Sequence, residues 1–293
     1  MKLYKRYSID RDYVLHYGDC MKLLRKIPSE SFDLTITSPP YFMGKDYDKS
    51  TRLDDFISFH KELLPEIVRI TKNGRSICWQ VGYHVKDGVV TPLDYVIHDI
   101  MKGFNNVFLR NRIVWNFGHG LHGRTRFSGR HELVMWYTKG LEYYFDLDEV
   151  RVPQKYPGKR YYKGPNKGEY SGNPLGKNPS DVWEIPNVKA NHVEKTLHPC
   201  QFPVALAQRL VCALSPTGSR IFDPFIGSGT TAIAAIIEKR KFVGCEIEKK
   251  YYEIARSRCL QALSNKVRYR PADKPIFEPS STMSVAKRPL SFS

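Results

Sequence analysis

The sequence predicts an α/β fold around a largely parallel sheet, on three observations. Strand-like and amphipathic helix-like runs alternate through both ends of the chain. A glycine loop stands between a strand and a helix at 223–232, and a proline-stiffened loop closes another strand at 37–41. With 293 residues, the chain can bury a sizeable core in one large domain with an elaboration, or in two small ones, without disulfides.

Tyr13 to Tyr17 reads as a short strand ending at Gly18-Asp19, and Met21, Leu23, Leu24 and Ile27 give Cys20 to Ile27 helical spacing. Phe32-Asp33-Leu34-Thr35-Ile36-Thr37 has the pattern of a buried strand, stopped by Ser38-Pro39-Pro40. An amphipathic helix over Asp54 to Thr71, a turn at Asn73-Gly74, a strand over Ser76 to Val81 and a helix over Leu93 to Gly103 continue the alternation. Asn111 to Asn116 and Glu132 to Tyr137 are strands separated by a loop rich in Gly, His and Arg. From about Arg151 to Lys195 the pattern gives way to Pro, Gly, Lys, Tyr and Asn with no apolar period able to build core, which predicts a loop-rich insert. Regular structure resumes with a helix over Pro203 to Leu214, a strand over Ser219 to Phe222, a helix over Thr230 to Lys239, a strand over Phe242 to Cys245 and a helix over Tyr251 to Leu263. The residues after Ser264 read as a basic, disordered tail. The predicted organisation is one domain in two halves, 1–150 and 196–263, with the insert 151–195 between them and the tail 264–293 behind.

Forty-six Lys and Arg against thirty Asp and Glu leave a formal charge of +16, which favours a polyanionic partner through counterion release, nucleic acid first among them. On charge alone, a basic enzyme with no such partner fits as well. The six cysteines lack C-x-x-C spacing and several lie in apolar runs, which suits a reducing cytoplasm and not structural zinc; no metal site is expected. The N-terminal stretch MKLYKRYSIDRDY offers no apolar secretory signal, and no segment approaches the ~20 apolar residues of a membrane span, so a soluble cytoplasmic protein is expected.

In Arg220 to Ala232 (RIFDPFIGSGTTA) a strand, a tight glycine loop and a helix follow one another, and the next strand ends on Glu246. Glycines let backbone approach a ligand closely, and an acid at the end of the second strand can accept hydrogen bonds from ribose hydroxyls, so the unit reads as nucleoside-binding. Gly227-Ser228-Gly229-Thr230-Thr231-Ala232 also satisfies the dinucleotide pattern G-x-G-x-x-A, which keeps a nicotinamide-dependent oxidoreductase open at this point. A Walker-type phosphate loop is excluded, since no Lys-Ser/Thr follows the glycines.

Thr37-Ser38-Pro39-Pro40-Tyr41 directly follows a buried strand and so belongs at the carboxyl edge of the sheet, where open α/β folds place ligands. Its prolines remove donors and stiffen the loop, leaving the oxygens of Ser38 and Pro39 as acceptors beside an aromatic platform, Tyr41. That set suits a planar base bearing an amino group.

With both loops in view, the chain resembles the β-class amino-methylating DNA methyltransferases, in which [S/D/N]-P-P-[Y/F/W] precedes D-P-F-x-G-S-G-T; the likeness runs from Val14 to Leu263. It implies a Rossmann-like, S-adenosylmethionine-dependent methyltransferase fold with circularly permuted motif order and a loop-rich recognition insert. It also implies S-adenosylmethionine as cofactor, held by Asp19 (the family's G-D acid, on the cofactor adenine), His198 and Gln201 (its H-P-x-Q-x-P), Asp223, Phe225, Gly227, Ser228, Gly229, Thr230 and Glu246. Phe202 stands where the family more usually carries Lys. Pro199-Cys200-Gln201 also resembles the nucleophile loop of cytosine C5 methyltransferases, but there that loop follows the glycine loop, and here it precedes it, which makes Cys200 a bystander.

On this resemblance Ser38, Pro39, Pro40 and Tyr41 are the catalytic set for methylation of a flipped base at its exocyclic amine. Ser38 in place of Asp points to cytosine N4, with adenine N6 the alternative. Double-stranded DNA is the expected partner, contacted by Arg124, Arg126 and Arg130 and by Lys159, Arg160, Tyr161 and Lys163 of the basic, aromatic insert. A homodimer and a cognate restriction endonuclease are further family expectations. A non-catalytic DNA-binding protein would account for the charge alone.

Overall fold

The computed structural model describes residues 2–41, 52–118, 120, 122–276 and 280. Their elements, in chain order, are β1 (Tyr13–Tyr17), α1 (Cys20–Leu24), β2 (Phe32–Thr37), α2 (Leu53–Ile70), β3 (Thr71–Val81), β4 (Tyr83–Lys86), β5 (Val89–Pro92), α3 (Leu93–Met101), β6 (Val107–Asn116), β7 (His131–Lys139), β8 (Val182–Glu184), α4 (Val204–Leu214), β9 (Arg220–Asp223), α5 (Thr230–Ile237), β10 (Lys241–Glu246) and α6 (Lys249–Leu263).

One eight-stranded sheet runs β1-β10-β9-β2-β3-β7-β6-β8. Neighbours from β1 to β3 are parallel, β7 is antiparallel to β3 and to β6, and β8 adds parallel to β6. Alternate residues of the strands feed two cores. Leu34, Ile36, Cys78, Val134 and Trp136 pack with α4, α5 and α6, while Ile77, Trp79, Met135 and Tyr137 pack with α1, α2 and α3. Helices therefore cover both faces, the arrangement a parallel sheet requires.

The topology fixes where a ligand goes. From β9 the chain passes through α5 to β10 on one side, and from β2 it passes through α2 to β3 on the other, while β9 and β2 lie side by side. The boundary between them is a topological switch point, and a crevice opens there at the carboxyl ends of the strands.

The structure corrects the sequence reading in four places. Asn73-Gly74 is not a turn before β3 but an irregularity inside it: the register moves from Phe32↔Thr71 to Leu34↔Ser76, and Gly74 takes φ +70° to absorb the extra residues. The β4–β5 hairpin was not foreseen, although Asp87-Gly88, at φ 51° and 80°, is the sequence signal of a type I′ turn. The insert does build core: Trp183, Ile185 and Val188 are buried, and the Trp115 indole N–H donates to the Ile185 carbonyl at 2.7 Å. A three-residue strand followed by irregular anchors has no period for a sequence to display. Finally, the segment after Ser264 is in part packed: Val267 and Tyr269 lie against the core, and the Arg270 amide donates to buried Glu194 at 3.0 Å. The expected tail at 277–279 and 281–293 falls outside the described residues, as do residues 119 and 121 of the β6–β7 loop. No helix among the described residues is long and apolar enough to cross a membrane.

Candidate active site

The two loops singled out in the sequence meet at the switch point. Thr37, the last residue of β2, donates its hydroxyl to Asp223 Oδ1 at 2.6 Å across the β2–β9 boundary, and the same oxygen accepts the Phe225 amide at 3.0 Å. Asp223 is 1% exposed. Through Oδ1 its carboxyl links the proline loop to the glycine loop, and burial pushes it up to about 6.

The glycine loop is closed by its own backbone and by β10. Ile226 N–H donates to Cys245 O, Gly229 N–H to Ile226 O, and Gly227 N–H to Glu246 Oε2 at 2.9 Å. Gly227 and Gly229 are left-handed, at φ +50° and +86°, and a side chain on either would press on a neighbour: the His198 ring 3.0 Å from a Cβ on Gly227, the Ala255 backbone 3.2 Å from one on Gly229. Ser228, buried in the loop, accepts Arg258 of α6 on its carbonyl and hydroxyl, and Thr230 at the head of α5 donates to the Phe202 carbonyl at 3.1 Å. Phe225 meets Phe59 of α2 at 5.8 Å between ring centroids.

Glu246 ends β10 beside Asp19, which follows β1; Gly18 N–H donates to the Glu246 carbonyl at 2.9 Å. The Glu246 carboxylate accepts Gly227 and Glu248 amides, each at 2.9 Å, and burial raises it to about 7. Each oxygen keeps acceptor capacity for a ligand hydroxyl. Asp19 caps α1 through Lys22 N–H at 2.9 Å. His198 stacks edge-on against Tyr251 at 4.4 Å, and burial lowers it to about 4, so it is uncharged near neutral pH. Gln201 is buried, bonded to Thr196 Oγ1 and to the Glu194 carbonyl. It holds the turn before α4 in place, with exposed Cys200 on its outside.

Beyond the proline loop lies a cluster that sequence reasoning missed. Ser38, Pro40 and Tyr41 are half-buried and Pro39 is buried. Gln80 Nε2 donates to Tyr41 Oη at 3.1 Å and to Glu132 Oε2, and Glu132 is also hydrogen-bonded to Tyr41. Gly82 leaves the room: a Cβ there would lie 3.4 Å from both Glu132 Oε1 and Tyr41 Cε2. Burial pushes Glu132 up to about 7. The available signal was Gln80 interrupting an apolar strand and Glu132 opening another, since a polar group in such a run must find a partner.

The expected nucleic-acid residues are exposed or nearly so, in two separate places. Arg124, Arg126 and Arg130 lie in the β6–β7 loop, which leads into β7 just before Glu132 of the Tyr41 cluster. Lys159, Arg160, Tyr161 and Lys163 lie on a small ribbon of the insert, where Arg160 pairs with Tyr170 and stacks on its ring at 4.0 Å.

Residues 32–257 match the family model described as DNA methylase, the N6/N4 type. The chain belongs to this DNA methylase family. It is 46% identical over 242 residues to the type II methyltransferase M.BglII of Bacillus subtilis, covering 82% of this chain and 67% of that one. Among solved structures, the cytosine-N4-specific PvuII DNA methyltransferase shares the fold with a TM-score of 0.67 at 20% identity, over 83% and 84% of the two chains. The TTHA0409 DNA modification methylase of Thermus thermophilus, complexed with S-adenosyl-L-methionine, aligns with a TM-score of 0.59 at 25% identity, over 85% and 95%. In this DNA methylase, then, the two loops and the switch point between them are features of a methyltransferase fold, and a nicotinamide oxidoreductase is set aside.

Proposed function

We propose that the chain transfers a methyl group from S-adenosylmethionine to cytosine N4 in double-stranded DNA, at a specific site. The observation that carries this reading is the placement of Ser38-Pro39-Pro40-Tyr41 directly across the switch point from the glycine loop, tied to it through Thr37 and Asp223.

The residues present suit S-adenosylmethionine. Two left-handed glycines leave a cradle that a Cβ would fill, Glu246 retains acceptor capacity for ribose hydroxyls, and Asp19 lies on the adjoining strand end. Bound there, the cofactor supplies an electrophilic methyl group. The chain's task is positioning. Ser38 Oγ and the Pro39 carbonyl accept the amino hydrogens of the base, which directs the nitrogen lone pair out of the ring and toward attack. Tyr41 gives the base a stacking surface and offsets part of the few kcal/mol spent in extruding it from the duplex. Gln80 and Glu132 fix the Tyr41 hydroxyl. Basic residues of the β6–β7 loop and of the 159–163 ribbon hold phosphates.

Ser38, a neutral hydroxyl where the adenine enzymes more often carry Asp, supports N4. Incubation of the purified chain with S-adenosylmethionine and unmethylated DNA, followed by nucleoside mass spectrometry, tests it. N4-methylcytosine is the expected product. N6-methyladenine would overturn the base assignment within the same family, and the absence of both products would overturn the reading as a whole.

A further inference from the structure

Phe127 is the most exposed large apolar side chain among the described residues, at 102%. Its loop is nevertheless held on both sides of it. Phe117 N–H donates to the Arg130 carbonyl and Gly123 N–H to Ser128 Oγ, each at 3.0 Å. The Arg126 guanidinium lies over the Tyr83 ring at 5.8 Å, and Gly129 sits so tightly on the Tyr83 hydroxyl that a Cβ there would lie 1.9 Å from it. The backbone is pinned to the β4–β5 hairpin while the phenyl ring projects into water, so its full apolar surface is available for burial in a complex.

Position and charge indicate which complex. The loop springs from the last pairs of the β6–β7 ladder, Trp115↔Glu132 and Asn116↔His131, and Glu132 is bonded into the Tyr41 cluster. From Phe117 to His131 there is no acidic residue, and Arg124, Arg126 and Arg130 flank Phe127. An exposed ring between arginines at the rim of a base-binding site fits a nucleic-acid duplex: phosphates for the arginines and a base stack for the ring.

We propose that Phe127 is a stacking wedge that enters the duplex beside the target and fills the place the extruded base leaves. Apolar wedges part base steps in this way, and the stacking of an aromatic ring on a base offsets the cost of flipping one nucleotide. The ring lowers the cost of the open state and Arg124 and Arg126 set the register on the flanking phosphates. The inference rests on the base-flipping reading of the proposed function.

The test compares Phe127→Ala and Phe127→Trp in the full chain. The substrates are a matched duplex carrying the site mapped by methylation sequencing and the same duplex with a mismatch opposite the target, which unpairs it in advance. Alanine is expected to lower kcat/KM about 10-fold on the matched duplex, the loss of one stacking contact. On the mismatch its rate should stay near wild type, and tryptophan should retain activity on both. Two outcomes overturn the proposal. In the first, alanine methylates the matched duplex at the wild-type rate. In the second, it loses equally on both duplexes, and a fall in assembly mass by light scattering would then assign the ring to a contact between copies of the chain. A wild-type protein that leaves no methylation to map would instead overturn the parent reading, and the wedge with it.

Discussion

The two sides of the crevice are built by opposite means. On the β9–β10 side, one contiguous stretch, Asp223 to Thr230, forms the loop, and its glycine turn is closed by bonds from backbone to backbone and from backbone to a neighbouring acid. On the β2–β3–β7 side, Tyr41, Gln80 and Glu132 come from three parts of the chain and meet only through side chains. The first side is shaped by what glycine permits. The second is shaped by burying polar groups that satisfy one another, a costlier arrangement that tolerates fewer changes of charge. Asp223 joins the sides, and substitutions there and on either flank separate their contributions.

The largest effect is expected at that joint. Asp223→Ala leaves the Thr37 hydroxyl and Phe225 amide without their acceptor, and should cost about 1–3 kcal/mol for each donor left unsatisfied. Loop misplacement on the scale of 1 Å should lower turnover about 100-fold. Chemical denaturation and single-turnover methylation measure the two; intact cofactor binding with full activity would break the picture of a shared joint.

On the cofactor side alone, Gly227→Ala places a Cβ at φ +50° and 3.0 Å from the His198 ring. S-adenosylmethionine affinity by calorimetry should fall about 10-fold, consistent with backbone strain of about 1–3 kcal/mol. Duplex affinity should be unchanged.

On the base side, Glu132→Gln tests burial of charge. The wild-type carboxyl is held up at about 7, above its ordinary 4.5, so ionising it in the folded state costs stability. Stability from this group is fully present below pH 4.5 and is lost as the pH rises to 7. The glutamine variant should therefore gain melting temperature relative to wild type across that window, by about 2–4 °C or less per kcal/mol, and hold a constant advantage above it. A difference that does not vary with pH would contradict the assignment.

The smallest effect belongs to the insert ribbon. Arg160→Ala should weaken duplex binding a few-fold with kcat unchanged and flatten the log–log salt dependence by about one phosphate contact. An unchanged slope would place the ribbon away from DNA.

The same contrast explains what was legible in the sequence. Strands β1 and β2, the glycine loop and the acid at the end of β10 are local patterns, and a reader of the residues finds them because spacing and glycine chemistry are written in one stretch. Glu132 and Gln80 were hidden because their partnership spans 52 residues and exists only once β3 and β7 pair. At Asp223 the place beside the loop was visible, but not that one oxygen, Oδ1, would accept the Thr37 hydroxyl from 186 residues away. Trp183 was missed because a short edge strand anchors through single large side chains, which carry no period.

The most direct test of the central claim, that Ser38 and its loop hold an exocyclic amine for methylation, is to express wild type and Ser38→Ala in a host lacking DNA methylation. Recovered DNA is digested and its nucleosides are weighed, and S-adenosylmethionine binding is measured for both proteins. The account predicts N4-methylcytosine from wild type, a loss of about 100-fold or more in the variant as for removal of a positioned polar group at a reacting centre, and equal cofactor affinity. Full methylation by Ser38→Ala would contradict it.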